Sequence, residues 1–482
     1  MVCAIIKIER GGIVIDYSNF RIWLIDSNKF AQRTVGNYVS RLRRANSIVE
    51  FEPNPIYIYY LEQNEKFICL SNDVKSQIKK AVKLYFKFLE SQKSNNQERS
   101  NNMKILSLFA NIGVAEAYLQ RIGFDVVVAN ELVERRAALY QKIYPKTKMI
   151  CGDITKKDTI DKLVSASVDG GVDIVMATPP CQGMSTAGQQ KADDMRNTLI
   201  LPVVEIIKGI NPKYIFIENV PLFFSTAITV NNEKILITEY LKRELNNQYR
   251  INQYVIDTKD YSVPQTRERA IILLSRNDMP EWILPEKSDK IVTMRDAIGK
   301  LPPLDPFVKD VDEAELLRMF PHFYERKEAA RAISQWHTPT EHIKRQVVVM
   351  QHTPSGCTAF DNKVYYPTKE NGEPVKGYHN TYKRQNWDTP AYTVTMDNRK
   401  ISSQNNVHPG RLEYIDENGD EVYSDARTLT LYELMIISSI PDDWPIPSTT
   451  PPAFLRRIIG EGIPPLFVKR VFEKLKEVNE NE

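Results

Sequence analysis

"VDIVMATPPCQGMS", residues 172–185, decides how the chain is read. Its first half is an apolar, β-branched run with the composition of a buried strand. Pro179 and Pro180 end that run, because a proline has no N–H for strand pairing and pushes the residue before it into extended backbone. A lone thiol, Cys181, follows at once on this stiff turn, with Gln182 and Ser185 close behind. In open α/β sheets, ligands bind beyond the carboxyl ends of the strands. The residues just after each comparable run are therefore the candidates for chemistry.

Five similar runs surround it: "KILSLF", "FDVVVA", "KMICGDI", "YIFIEN" and "RAIILLS". Helix-like segments at 114–121, 132–143 and 198–208 separate them. This alternation predicts a Rossmann-like α/β fold, a doubly wound and mostly parallel sheet. Phe109 closes the first strand, and Asn111 and Gly113 make a tight turn where a ligand can approach the backbone closely. Glu131 follows the second strand, placed to accept from ribose hydroxyls, and Asp153 follows the third, placed to accept from an exocyclic amine. Together they suit an adenosine moiety. Cys181 then stands beside a nucleoside site, where a rigid turn suits a nucleophile. Glu218 and Asn219 end the fifth strand, with Glu218 a candidate proton donor. Arg267 and Arg269 lead into the last strand at alternate positions, and such arginines need carboxylate, phosphate or carbonyl partners.

From about 276 to 424 the alternation stops, and turn-rich stretches with interspersed aromatic and basic residues replace it. Five domains and connectors are expected: an α-rich module over 1–95, a linker at 96–102 within the polar run "SQKSNNQERSNN", a sheet domain over 103–275, a small irregular domain over 276–452, and a C-terminal helix over 453–482. In the first module, Val35, Tyr38, Val39 and Leu42 mark one helical face, and Val74, Ile78, Val82, Tyr85 and Leu89 another. "NPIYIYYL" reads as a strand.

The chain has 482 residues and a net charge of only +3, unevenly placed. Residues 1–100 carry 16 Lys/Arg against 10 Asp/Glu, a net of +6, and the other 382 carry 48 against 51, a net of −3. That excess points to a polyanion at the first module, with Arg41 and Arg44 as candidate contacts, although a plain solvated surface has the same composition. No apolar run nears the ~20 residues of a membrane span, and the start lacks a signal-peptide core. Five scattered cysteines without a CxxC pair suit reduced thiols in a cytoplasm.

In order, spacing and identity, "FANIG", "ANE", "GDI", "PPCQGMS", "IENV" and "QTRERA" resemble the DNA (cytosine-5)-methyltransferase family. "WDTPAYTVT", "NNVHPGR", "RTLTLYELMIISSIPDDW" and "IGEGIPP" extend the likeness over roughly 103–475. The resemblance implies a class I S-adenosylmethionine-dependent fold with a target-recognition domain. It implies transfer of a methyl group to C5 of a flipped-out cytosine in double-stranded DNA, leaving S-adenosylhomocysteine, with no metal. A prokaryotic restriction–modification setting, a cognate restriction endonuclease as functional partner, and a monomer associated with the nucleoid are expected with it.

By position, Phe109, Asn111, Gly113, Glu131, Asp153, Ile154 and Pro179 would hold the cofactor. Cys181 would attack the base, Glu218 and Arg269 would grip it, and Arg267 would serve the catalytic site or the DNA backbone. Gln182, Ser185, Arg384 and Arg399 would contact DNA, with His322, His337, His342, His352 and His379 further candidates in the small domain. Asn111 stands where many members have glycine, and "GEGIPP" departs from Gly-Asn-Ala-Val-Pro-Pro, leaving Glu461 without an assigned role. Two alternatives stand beside this reading. An amino-methyltransferase would carry Asp, Asn or Ser before the prolines and an aromatic residue after them, where this chain has Thr178 and Cys181. A catalytically inactive DNA-binding relative would not need Cys181, Glu218 and Arg269 together.

Overall fold

The computed structural model describes residues 8–9, 12–13, 15, 17–26, 32–51, 57–97, 102–180 and 195–480; Cys181, Gln182 and Ser185 lie outside them. The chain divides into two compact units, Met1–Asn102 and Met103–Glu482.

The first unit is built on helices α1 (Tyr17–Asp26), α2 (Gln32–Ile48), α3 (Tyr57–Gln63), α4 (Glu65–Ile68) and α5 (Asn72–Gln97). Phe20, Leu24, Val35, Leu42, Tyr57, Ile78, Val82 and Tyr85 fill its core. The expected strand at "NPIYIYYL" is instead helix from Tyr57 onward. Tyr57 and Leu61, four residues apart, are buried while Tyr59 and Tyr60 face solvent, so packing at the helical period overrides the aromatic preference for strands. Helix α5 also runs through Gln97, past the point where the polar linker was expected. No glycine or proline interrupts residues 91–97 to stop it.

The second unit centres on a seven-stranded sheet. Its strands are β1 (Met103–Leu108), β2 (Phe124–Glu131), β3 (Lys148–Cys151), β4 (Ile174–Ala177), β5 (Tyr214–Asn219), β6 (Tyr249–Asp257) and β7 (Glu268–Arg276). Their spatial order is β6-β7-β5-β4-β1-β2-β3. β7 runs antiparallel to both β5 and β6; the other neighbours are parallel. The side-chain period of two sorts the central strands cleanly. Leu106, Val175, Ile215 and Ile272 face one layer with helices α6 (Lys157–Gly170), α7 (Ile200–Ile210) and α8 (Ile237–Leu245). Ile105, Met176, Phe216 and Leu273 face the other, where Phe467, Val471, Phe472 and Leu475 of the helix Pro465–Glu480 cover them. Strands buried on both faces read as unbroken apolar runs, which is why the sequence shows them.

The expected helix at 114–121 is replaced by turns and one 3₁₀ turn, Leu119–Ile122. Phe109, Asn111 and Gly113 take left-handed backbone within five residues. The chain that leaves them bonds at i−3 (Gly113 to Ala110, Ala117 to Val114, Leu119 to Glu116), so no α-helical ladder starts.

Residues 276–452 carry short helices around Val308, Leu316, Phe323, Val347 and Val407. Beside them Arg427, fully buried, meets Asp425 at 2.7 Å and Glu433 at 2.8 Å. Glu433 also closes a capping box with Thr430 at the start of helix Leu431–Ile437. Burial pushes the Asp425 carboxyl up, but His408 and Arg427 outweigh it and lower it to about 2. No helix among the described residues is long and apolar enough to cross a membrane.

Candidate active site

The neighbouring strands β4, β5 and β7 bring their chemistry to one edge of the sheet. Ile271 lies opposite Glu218 in the β5–β7 ladder, so Arg269, two residues away on the same face, is its diagonal neighbour. Arg269 Nε meets Glu218 Oε1 at 2.6 Å, and only about a tenth of each side chain is exposed. Arg269 also donates through Nη1 to the Glu268 carbonyl at 2.7 Å, which fixes the plane of the guanidinium. Adjacent Asn219 turns toward β4. Its Nδ2 donates to the Pro179 carbonyl at 3.0 Å, and its Oδ1 accepts from the Val220 N–H at 2.9 Å. The backbone two residues before Cys181 is thereby tied to the strand that carries Glu218. Sequence reasoning placed Asn219 at this edge but gave it no task; its position next to the acid was the available signal.

At the far side of the edge, the β1 turn is shaped by Glu131. Its Oε2 accepts from the Asn111 N–H at 2.9 Å and its Oε1 from the Val133 N–H at 2.8 Å. Each oxygen keeps a further lone pair for a ligand. Asn130, also missed from the sequence, bridges β2 to the end of β3 by donating to the Ile150 and Gly152 carbonyls at 2.9 and 3.1 Å. Asp153 accepts from the Thr155 N–H and hydroxyl at 2.9 and 2.8 Å, and these bonds hold its carboxyl below the usual range. Ile154 is buried beside it.

Gly113 has φ +83°, and a Cβ there would stand 2.1 Å from the Tyr144 ring. No side chain fits. The Tyr144 hydroxyl donates to the Gly113 carbonyl at 2.6 Å and accepts from Trp444 Nε1 at 3.0 Å. Beneath the turn lies Glu116, a buried carboxyl that accepts from the Tyr140 hydroxyl. Desolvation pushes it up to about 7 against the hydrogen bonds from Ser107 and Tyr140.

Glu461, unassigned from the sequence, takes part in the same turn. It accepts from Asn111 Nδ2 at 3.1 Å and pairs with Arg136 at 2.9 Å. Asn111 Oδ1 remains buried with no hydrogen-bond partner in the protein. A donor from a bound molecule would satisfy it.

Two expected contacts are corrected. Arg267, read as a catalytic or DNA-backbone residue, is buried and donates to the carbonyls of Val394 (2.9 Å), Gly460 (2.9 Å) and Glu461 (3.3 Å). It fastens the sheet edge to the segments that return to it. Arg384, read as a DNA contact, is 0% exposed and donates to the carbonyls of Met350, His408, Ser424 and Asp425 at 2.7 to 3.0 Å. Its donors are spent inside the fold. His337 and His342 are likewise buried, against the hydroxyl of Thr430 (2.9 Å) and the backbone N–H of Thr428 (3.1 Å). Arg399 is exposed, whereas Arg41 and Arg44 belong to the first unit. Among the described residues no cluster of three His, Cys, Asp or Glu side chains could hold a metal ion.

Comparison with known proteins gives a consistent picture. The sequence profile of C-5 cytosine-specific DNA methylases matches residues 103–477. The type II methyltransferase M1.HgaI of Avibacterium volantium is 42% identical over 385 residues, 79% of this chain and 99% of that protein. M1.HphI of Haemophilus parahaemolyticus is 27% identical over 393 residues, 79% of this chain and 88% of that protein. A crystal structure described as a DNA modification methyltransferase encoded within an E. coli prophage shares the fold. Its TM-score is 0.54 at 18% identity, covering 79% of this chain and all of that one.

Proposed function

This chain belongs to the C-5 cytosine-specific DNA methylase family, and from that premise we propose how its own residues carry out the reaction. The enzyme is a DNA (cytosine-5)-methyltransferase of the type II restriction–modification kind. The family depends on S-adenosylmethionine, whose sulfonium supplies an electrophilic methyl group. The site fits such a ligand: the unsatisfied Asn111 Oδ1 at the β1 turn accepts a donor, and the Glu131 and Asp153 carboxylates suit ribose and adenine donors. Phe109, Gly113, Ile154 and Pro179 complete the residues that would hold it.

A cytosine stacked in duplex DNA cannot enter this edge, so the base swings out of the helix. C5 of cytosine is too weak a nucleophile to take a methyl group unaided. The Cys181 thiolate adds to C6, forming an S–C6 bond and moving electron density to C5. Glu218 meets the N3 and exocyclic-amine edge of the base. Arg269 donates to O2. Both offset charge that develops on the ring. C5 is methylated, a base removes the C5 proton, and the S–C6 bond breaks to release the thiolate. Asn219 acts as a positioning residue, since its bond to the Pro179 carbonyl sets where the Cys181 loop begins.

The observation that carries this reading is the Glu218–Arg269 pair at 2.6 Å, on the strand edge where Asn219 holds the Pro179 carbonyl. The exposed Arg399, with Gln182 and Ser185, would contact DNA. We place the reaction in a prokaryotic cytoplasm, where it protects host DNA from a cognate endonuclease. Bisulfite sequencing of DNA from a host expressing the chain tests the proposal. Protection of one cytosine within a fixed sequence is expected, and uniform conversion would reject it.

A further inference from the structure

The first unit lies outside the matched family region, which begins at residue 103. It has its own core and carries the chain's positive excess, 16 Lys/Arg against 10 Asp/Glu. The contacts between its two longest helices show where part of that charge sits. Arg41 Nε on α2 donates to Gln77 Oε1 on α5 at 3.0 Å, and Lys80 on α5 lies 5.8 Å from the Tyr38 ring on α2. As residue numbers rise on one helix they fall on the other, so α2 and α5 are antiparallel along a shared seam. Arg44 follows Arg41 by three residues on the outer side of α2, and Lys83 and Lys87 follow Lys80 along the outer side of α5. Arg44, Lys80, Lys83 and Lys87 are all exposed.

On α5, four residues before Lys83, Lys79 is paired with Glu62 at 2.9 Å, and on α2 Arg43 lies 5.0 Å from the Tyr17 ring. Along the seam, in contrast, no carboxylate among the described residues pairs with Arg41, Arg44, Lys80, Lys83 or Lys87. Asp73, in the first turn of α5, complements the helix N-terminus there. From Lys80 to Lys87 the helix rises about 10 Å at ~1.5 Å per residue. That spans about three phosphates of one strand at ~3.4 Å each along the duplex axis.

We propose that the α2–α5 seam is a second DNA site, which grips the phosphates of duplex DNA through Arg41, Arg44, Lys80, Lys83 and Lys87 without reading sequence. A catalytic unit with a net negative remainder of the chain gains from such an arm, because phosphate contacts supply sequence-independent affinity. The partner is duplex DNA because the same chain modifies it.

The test uses the full chain and a 30-base-pair duplex of arbitrary sequence, with affinity measured across a salt series. The seam variant is Arg44→Gln, Lys83→Gln and Lys87→Gln, three exposed side chains that leave the core untouched. The control variant Arg21→Gln, Arg43→Gln and Lys66→Gln removes the same charge from other exposed faces of the unit. With about 0.9 in log–log salt slope per phosphate contact, the seam variant is expected to lose about 2 to 3 from the slope. Its affinity at low salt should fall at least tenfold, with the thermal midpoint unchanged, and the control variant should change neither quantity. Equal losses in both variants would reduce the effect to diffuse charge and overturn the site. No loss in the seam variant would overturn it directly, and tighter binding of single-stranded RNA, lost with the seam, would assign the surface to another partner.

Discussion

Replacing Glu116 by glutamine should stabilise the catalytic unit, and the gain should grow with pH. Glu116 is buried under the β1 turn, and desolvation raises its carboxyl from 4.5 to about 7. The folded protein therefore holds this proton more tightly than the unfolded chain does. The group's contribution is fully present below about pH 4.5 and is lost as pH rises through about 7. The full difference corresponds to about 3 kcal/mol at roughly 1.4 kcal/mol per pH unit. Glutamine keeps an acceptor for the Tyr140 hydroxyl and never has to ionise. The variant's advantage should thus be about 1 kcal/mol near pH 5 and about 3 kcal/mol near pH 8.5. Urea unfolding of wild type and variant at both pH values measures it. A stability difference that stays the same at the two pH values would refute the reasoning.

Three further outcomes follow from the geometry. Asn219→Ala frees the Pro179 carbonyl, so kcat should fall about 10- to 100-fold through misplacement of the Cys181 loop, with cofactor affinity unchanged by equilibrium binding; a wild-type kcat would remove its positioning role. Arg384→Met leaves several buried carbonyls without their donor and should cost about 3 kcal/mol or more. Arg399→Ala should leave unfolding unchanged and weaken DNA binding, so thermal melts and binding isotherms on the two variants separate a core arginine from a surface one.

What the sequence made legible is the part of the fold in which local composition and tertiary role coincide. Strands buried on both faces leave apolar runs such as "IVMA" and "YIFI", and the ends of those runs mark the edge where Glu218 and Asn219 stand. The turn at 109–113 was visible through Gly113, but not the run of left-handed residues that prevents a helix from following. Charge was the least legible property. Arg384 and Arg399 look alike in sequence, yet four carbonyls contributed by distant segments enclose the first, while the second is exposed. Arg267 was legible as an arginine needing a partner, but that partner is the backbone at 394 and 460–461, more than a hundred residues away. Glu461 eluded the reading for the same reason, since its partners Asn111 and Arg136 are brought to it only by the returning C-terminal helices.

The central claim, that Cys181 adds to C6 of a flipped cytosine held by Glu218 and Arg269, is tested most directly by trapping. Long genomic DNA copied with 5-fluorocytosine in place of cytosine carries the fluorine at whichever cytosine the enzyme selects, and fluorine at C5 blocks the proton loss that releases the enzyme. Incubation with S-adenosylmethionine should give a protein–DNA adduct that survives a denaturing gel, and Cys181→Ser should give none. Wild-type protein that methylates ordinary DNA but forms no adduct, or an adduct that persists in Cys181→Ser, would contradict the account.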